Sequence, residues 1–75
     1  MTDPDLALTE ITEHELPFGR RVRLVDARHE SGLRMLRLIW REGTRITQIE
    51  IAPGDAARLG SELTKWARET TASDA

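Results

Sequence analysis

RRVRLVDARHESGLRMLRLIWREGTRITQIEI, residues 20–51, is the stretch that decides the fold. Apolar and charged residues alternate through it with the two-residue period of an extended chain, and β-branched side chains recur. Ser31-Gly32 and Glu42-Gly43 interrupt the alternation where tight turns belong, because Gly reaches positive φ without steric cost. Three strands are therefore expected, over 21–29, 33–41 and 45–51. Connections this short make neighbouring strands antiparallel.

Working outward, Leu16-Pro17-Phe18-Gly19 is a turn signal, with Pro presetting φ and Gly closing the turn. It places a fourth, edge strand over 11–16. On the other side, Ala52-Pro53-Gly54-Asp55 starts a helix: Pro suits its first position, and Asp55 in the first turn favours its dipole. Ala56, Leu59, Leu63 and Trp66 recur at three- and four-residue spacing, with Gly60 and Ala67 on the same side. Arg58, Glu62, Lys65 and Glu69 take the opposite side, and the helix is expected to fade near Arg68. The fold class is α+β: an antiparallel β-meander of three to four strands, then one C-terminal α-helix packed on one sheet face. Residues 1–9 are expected to be a disordered acidic arm, 10–69 the domain and 70–75 a disordered tail.

Two-residue turns fix an explicit register. A hairpin centred on Ser31-Gly32 pairs Ala27 with Leu36, Val25 with Leu38 and Arg23 with Trp40. One centred on Glu42-Gly43 pairs Leu36 with Ile49, Leu38 with Thr47 and Trp40 with Arg45. One face then carries Val25, Ala27, Leu36, Leu38, Trp40, Ile49 and Ile51, which should receive Leu59, Leu63 and Trp66 of the helix. A three-residue loop would oppose Val25 to Arg37 and is rejected for that reason. The second face holds an apolar row, Leu24, Ile39 and Ile46, beside Asp26, Met35 and Arg37. The single helix cannot cover it as well. These six residues are the candidate dimer interface, since an uncovered apolar strip on so small a chain is most simply met by a second copy.

Size supports the same expectation. A chain of 75 residues buries only about 60% of its unfolded surface, so its core is marginal. It has no Cys, so disulfides and thiolate metal sites are excluded, and oligomerisation is the remaining natural supplement. His14 and His29 lie in different segments, so no metal or other cofactor is expected. No signal-peptide pattern and no membrane-length apolar run is present, so the protein is expected to be soluble and cytoplasmic, without a membrane partner.

Charge is unevenly spread. Residues 1–16 carry five acidic and no basic groups, a net of −5, while residues 20–45 carry eight Arg against three acids, a net of +5. The acidic arm either screens the sheet or leaves a basic surface open to an anion. Arg20, Arg21, Arg23 and Arg45 are the candidate nucleic-acid contacts, with Trp40 either a stacking platform or a core residue under the helix. An Asp26–Arg37 pair reads as cross-strand stabilisation rather than as a reactive pair. No Ser, Cys, His and acid constellation of catalytic type exists, so no catalytic residues are assigned and the chain is not expected to be an enzyme.

The segments Glu15-Leu-Pro-Phe-Gly-Arg, His29-Glu-Ser-Gly-Leu-Arg-Met-Leu-Arg and Ala52-Pro-Gly-Asp-Ala-Ala-Arg-Leu-Gly resemble a family of small uncharacterised bacterial proteins. That resemblance spans most of the chain and implies no activity. The order of strands followed by one helix is also similar, in topology alone, to the single-stranded-DNA-binding domain of the positive-cofactor-four coactivators, which dimerise; it transfers no site residue. The expected function is thus a small, non-enzymatic, homodimeric binding or adaptor module with a protein partner of unknown identity. The alternative is a single-stranded nucleic-acid-binding dimer that uses the Arg-rich sheet.

Overall fold

The computed structural model describes residues 6–73. Its elements are β1 (Leu6–Leu16), β2 (Arg20–His29), β3 (Arg34–Glu42), β4 (Arg45–Ile51) and the helix α1 (Pro53–Ser73). The four strands form one antiparallel sheet in the order β1-β2-β3-β4. The architecture is the expected meander plus helix, with two boundaries moved. β1 is a full strand that begins at Leu6, so residues 6–9 belong to the sheet rather than to an arm; residues 1–5 lie outside the described residues. α1 runs to Ser73, past the expected end at Arg68 and into the segment taken for a tail. No Gly or Pro follows Gly60 to stop it. Residues 74–75 lie outside the described residues.

The register differs from the expected one, and the reason lies in two turns. In the β2–β3 hairpin His29 N donates to Leu33 O at 2.8 Å and Gly32 N donates to His29 O at 2.9 Å, with Gly32 at φ +90°. This is the three-residue loop Glu30-Ser31-Gly32, a turn followed by a residue of positive φ, one of the common hairpin closures. Val25 therefore pairs with Arg37, Asp26 with Leu36 and Ala27 with Met35, which is the arrangement rejected from sequence. In the β3–β4 hairpin the loop is Gly43-Thr44, with Gly43 at φ +58°. Leu36 pairs with Ile51, Leu38 with Ile49 and Trp40 with Thr47, two residues from the expected partners.

A one-residue change in loop length turns every side chain of β2 over relative to β3. One face, called here the apolar face, carries Val22 and Leu24 of β2, Leu36, Leu38 and Trp40 of β3, and Ile49 and Ile51 of β4. The other, the charged face, carries Arg21, Arg23, Val25 and Ala27 of β2, Met35, Arg37, Ile39 and Arg41 of β3, and Ile46, Gln48 and Glu50 of β4. In β1 the register shifts between Glu10 and Thr12, so Ile11 is an extra, bulged residue. The bulge puts Glu10 opposite Val25 and Glu13 opposite Arg23. Both carboxylates therefore reach the charged face, although a regular strand would send them to opposite sides.

The core is very small. Val25 and Ala27, 4% and 0% exposed, are the buried hydrophobic residues among those described. Both sit on the charged face of a central strand, Val25 between Glu10 and Arg37, Ala27 between Leu8 and Met35. Long side chains on the neighbouring strands close over them.

α1 packs on the sheet through β3. Pro53 and Ala56 meet Met35 and Leu36 around an open groove of about 540 Å³. Beyond that point the apolar stripe is largely open: Leu59, which shares a groove with Ile51, is 51% exposed, and Leu63 and Trp66 are each 67% exposed. Their expected seat on the sheet is not occupied by the protein's own helix.

Candidate functional site

The positions expected to form one interface are divided between the two faces. Leu24 and Asp26 lie on the apolar face, and Met35, Arg37, Ile39 and Ile46 on the charged one. The row Leu24–Ile39–Ile46 does not form: Leu24 pairs with Leu38, while Ile39 pairs with Arg23 and Gln48. Asp26 and Arg37 are separated for the same reason. Asp26 instead takes Arg34, whose Nη2 donates to Oδ2 at 2.9 Å. That bond, with the charges of Arg34 and Arg28, holds the Asp26 carboxyl below the ordinary carboxylate range against desolvation.

The four arginines proposed from sequence to meet nucleic acid are also divided. Arg21 and Arg23 are on the charged face, and Arg20 and Arg45 on the apolar one. Three of the four have a carboxylate partner. Arg21 Nη2 donates to Glu15 Oε1 at 3.1 Å, and Arg23 Nε donates to Glu10 Oε1 at 2.8 Å. Arg20 Nε lies 3.7 Å from Glu42 Oε2, too far for a hydrogen bond. Arg45 makes no ion pair among the described residues. Trp40 does not stand between Arg23 and Arg45. It lies between Val22 and Thr47, and its indole Nε1 donates to Glu42 Oε1 at 2.8 Å.

One polar cluster was hidden from sequence reasoning. Arg37 donates to Glu50 Oε2 from Nε at 3.0 Å and from Nη2 at 2.6 Å, while His29 Nε2 lies 3.2 Å from Glu50 Oε1. The Arg37 side chain is only 15% exposed. The hydrogen bond from Arg37 holds the Glu50 carboxyl below its ordinary range; desolvation opposes this and the His29 contact adds to it. All three side chains are engaged with one another across β2, β3 and β4, which makes the cluster a cross-strand clamp.

Phe18 is a second feature that the turn signal located without describing. It sits at the tip of the β1–β2 loop at φ 69°, 90% exposed, with the Arg20 guanidinium 5.6 Å from its ring centroid. Positive φ is sterically costly for an aromatic residue. Among the described residues no group of three or more His, Cys, Asp or Glu is placed to hold a metal ion, and no helix is long and apolar enough to cross a membrane.

These surfaces define a four-stranded meander with one helix, a neutralised charged face, and an apolar face and helix stripe that share a lack of cover. The chain belongs to a family of unknown function, DUF6967, whose model matches residues 5–69. No curated protein and no solved structure matches it.

Proposed function

We propose that this protein is a non-enzymatic, homodimeric protein-binding module of the cytoplasm. The observation that carries this reading is where the apolar side chains lie: among the described residues the core holds only Val25 and Ala27, while Ile49, Leu59, Leu63 and Trp66 are each at least half exposed. The exposed total is 6218 Å², against about 4,650 Å² for a compact monomer of this mass. The excess, about 1,600 Å² per chain, is in the range that a protomer of an obligate dimer buries. The lack of Cys suits a reducing compartment. The ion pairs of Arg21 and Arg23 count against nucleic acid, because phosphate would have to displace carboxylates already in place.

Sedimentation velocity across micromolar concentrations is the test, run beside titration of a labelled single-stranded oligonucleotide at low salt. A dimer that ignores the oligonucleotide is the expected outcome. A monomer at every concentration removes the reading. Oligonucleotide binding that weakens steeply with salt, and is lost on joint replacement of Arg20, Arg21 and Arg23, replaces it with the nucleic-acid one.

A further inference from the structure

The helix α1 and the sheet have about the same length, and the apolar stripe of the one and the apolar face of the other share the need for cover. α1 has 21 residues, about 31 Å at 1.5 Å per residue. β2 has 10 residues, about 33 Å in extended form. A helix seated on this sheet would cover it from end to end. Its own chain does not provide that helix: the molecule extends 50 × 30 × 15 Å with a radius of gyration of 15.0 Å, against about 11 Å for a compact domain of this length.

The reason is the joint between β4 and α1. Ala52 alone separates Ile51 from Pro53. Its carbonyl already accepts the first helical hydrogen bond, from Ala56 N at 2.9 Å. Asp55 and Arg58 are paired in the first turn. Strand end and helix start are thus separated by a single residue that already belongs to the helical hydrogen bonding, which leaves little chain with which to turn the helix. Bringing Leu63 and Trp66 back over Leu38 would require that joint to be rebuilt.

We infer that two copies of this chain exchange helices, each α1 lying with Leu59, Leu63 and Trp66 against the partner's apolar face at Leu24, Leu38 and Ile49. This deepens the dimer reading given above and rests on it. Exchange is isologous, so one pairing mode satisfies both stripes and both faces at once. Charge fits as well. Glu62, expected on the opposite side of the helix, instead lines one groove with Leu59 and Ile51 and so edges the stripe; Arg45 borders the apolar face, and neither makes an ion pair among the described residues. The two Trp of the chain fall on the two surfaces brought together, Trp66 on the stripe and Trp40 on the face, as expected of interface anchors.

The natural absence of Cys makes the test direct. Ile49→Cys and Leu63→Cys are prepared separately, checked for fold by circular dichroism, mixed, and treated with a short bismaleimide. A doubly substituted chain is treated in parallel, and Leu59→Cys stands in if Leu63→Cys fails to fold. Cross-links between a sheet cysteine of one chain and a helix cysteine of the other are the expected result. Cross-links confined to like positions in a dimer overturn the exchange while leaving the dimer intact. An intrachain link in a protein that sediments as a monomer overturns both. Trp66→Ala gives a second measure: it should weaken self-association by about 30-fold or more, as loss of a central aromatic anchor does. An unchanged association constant overturns the inference.

Discussion

Glu50 shows how one carboxylate can tie three strands without being chemically special. Its pKa in the folded chain is lowered, chiefly by Arg37. Over the carboxylate range the unfolded chain therefore binds more protons than the folded one. The stabilisation is complete above the ordinary Glu value and is lost as pH falls through the lowered folded value. Urea unfolding from neutral pH down through that range should show a shallower acid limb for Glu50→Gln than for the natural chain. At neutral pH the variant should be less stable by about 1 kcal/mol, the scale of a partly exposed ion pair. Phe18 carries the opposite expectation. Phe18→Asn relieves a left-handed aromatic residue and gives up only an exposed stacking contact, so thermal unfolding should move up by about 0.5–1 kcal/mol. No gain would mean that the contact with Arg20 outweighs the strain.

At the scale of elements, the loop of the β2–β3 hairpin decides which residues share a face. Gly32 must hold φ +90° for the three-residue loop to close. An Ala there meets no neighbour within 4 Å, so its cost comes from backbone conformation alone, about 1–2 kcal/mol. Gly32→Ala should lose that much in chemical denaturation without changing the denaturant dependence. Gly60 provides the contrast, since it sits in a helix, also with open space around it. Gly60→Ala should gain up to about 1 kcal/mol from helix propensity. A loss at Gly60 instead would indicate that a second chain approaches the backbone closely there.

For the whole molecule, the question is how so small a core sustains a fold. Val25 and Ala27 alone cannot offset the ordering of this chain, each ordered residue costing about 1–2 kcal/mol of backbone entropy. In the dimer proposed above, the missing burial comes from the apolar face and the helix stripe together. The thermal midpoint should therefore rise with protein concentration, as it does when folding and association are linked. The two faces should also respond differently to charge. Ile49→Lys, on the apolar face, should give monomers or unfolded chains, whereas Ile46→Lys, somewhat more exposed and on the charged face, should leave the proposed dimer intact. Dissociation by Ile46→Lys alone would move the interface to the other side of the sheet.

The alternation of residues 20–51, the turn at Pro17-Phe18-Gly19 and the Ala56–Leu59–Leu63–Trp66 spacing determined the meander, the helix and the helix's apolar side. These are local properties, set by the two-residue and 3.6-residue periods. Tertiary structure alone decided the faces. Ser31-Gly32 is compatible with either a two- or a three-residue loop, and the choice turns β2 over, separating Leu24 from Ile39 and Asp26 from Arg37. The bulge at Ile11 likewise leaves no mark in the alternation, yet it brings Glu10 and Glu13 to the same arginine-rich face. Where the helix stripe goes was equally illegible. A periodic stripe states that a surface is to be buried, but the direction of a helix is set by the geometry of its joint, here the single residue Ala52.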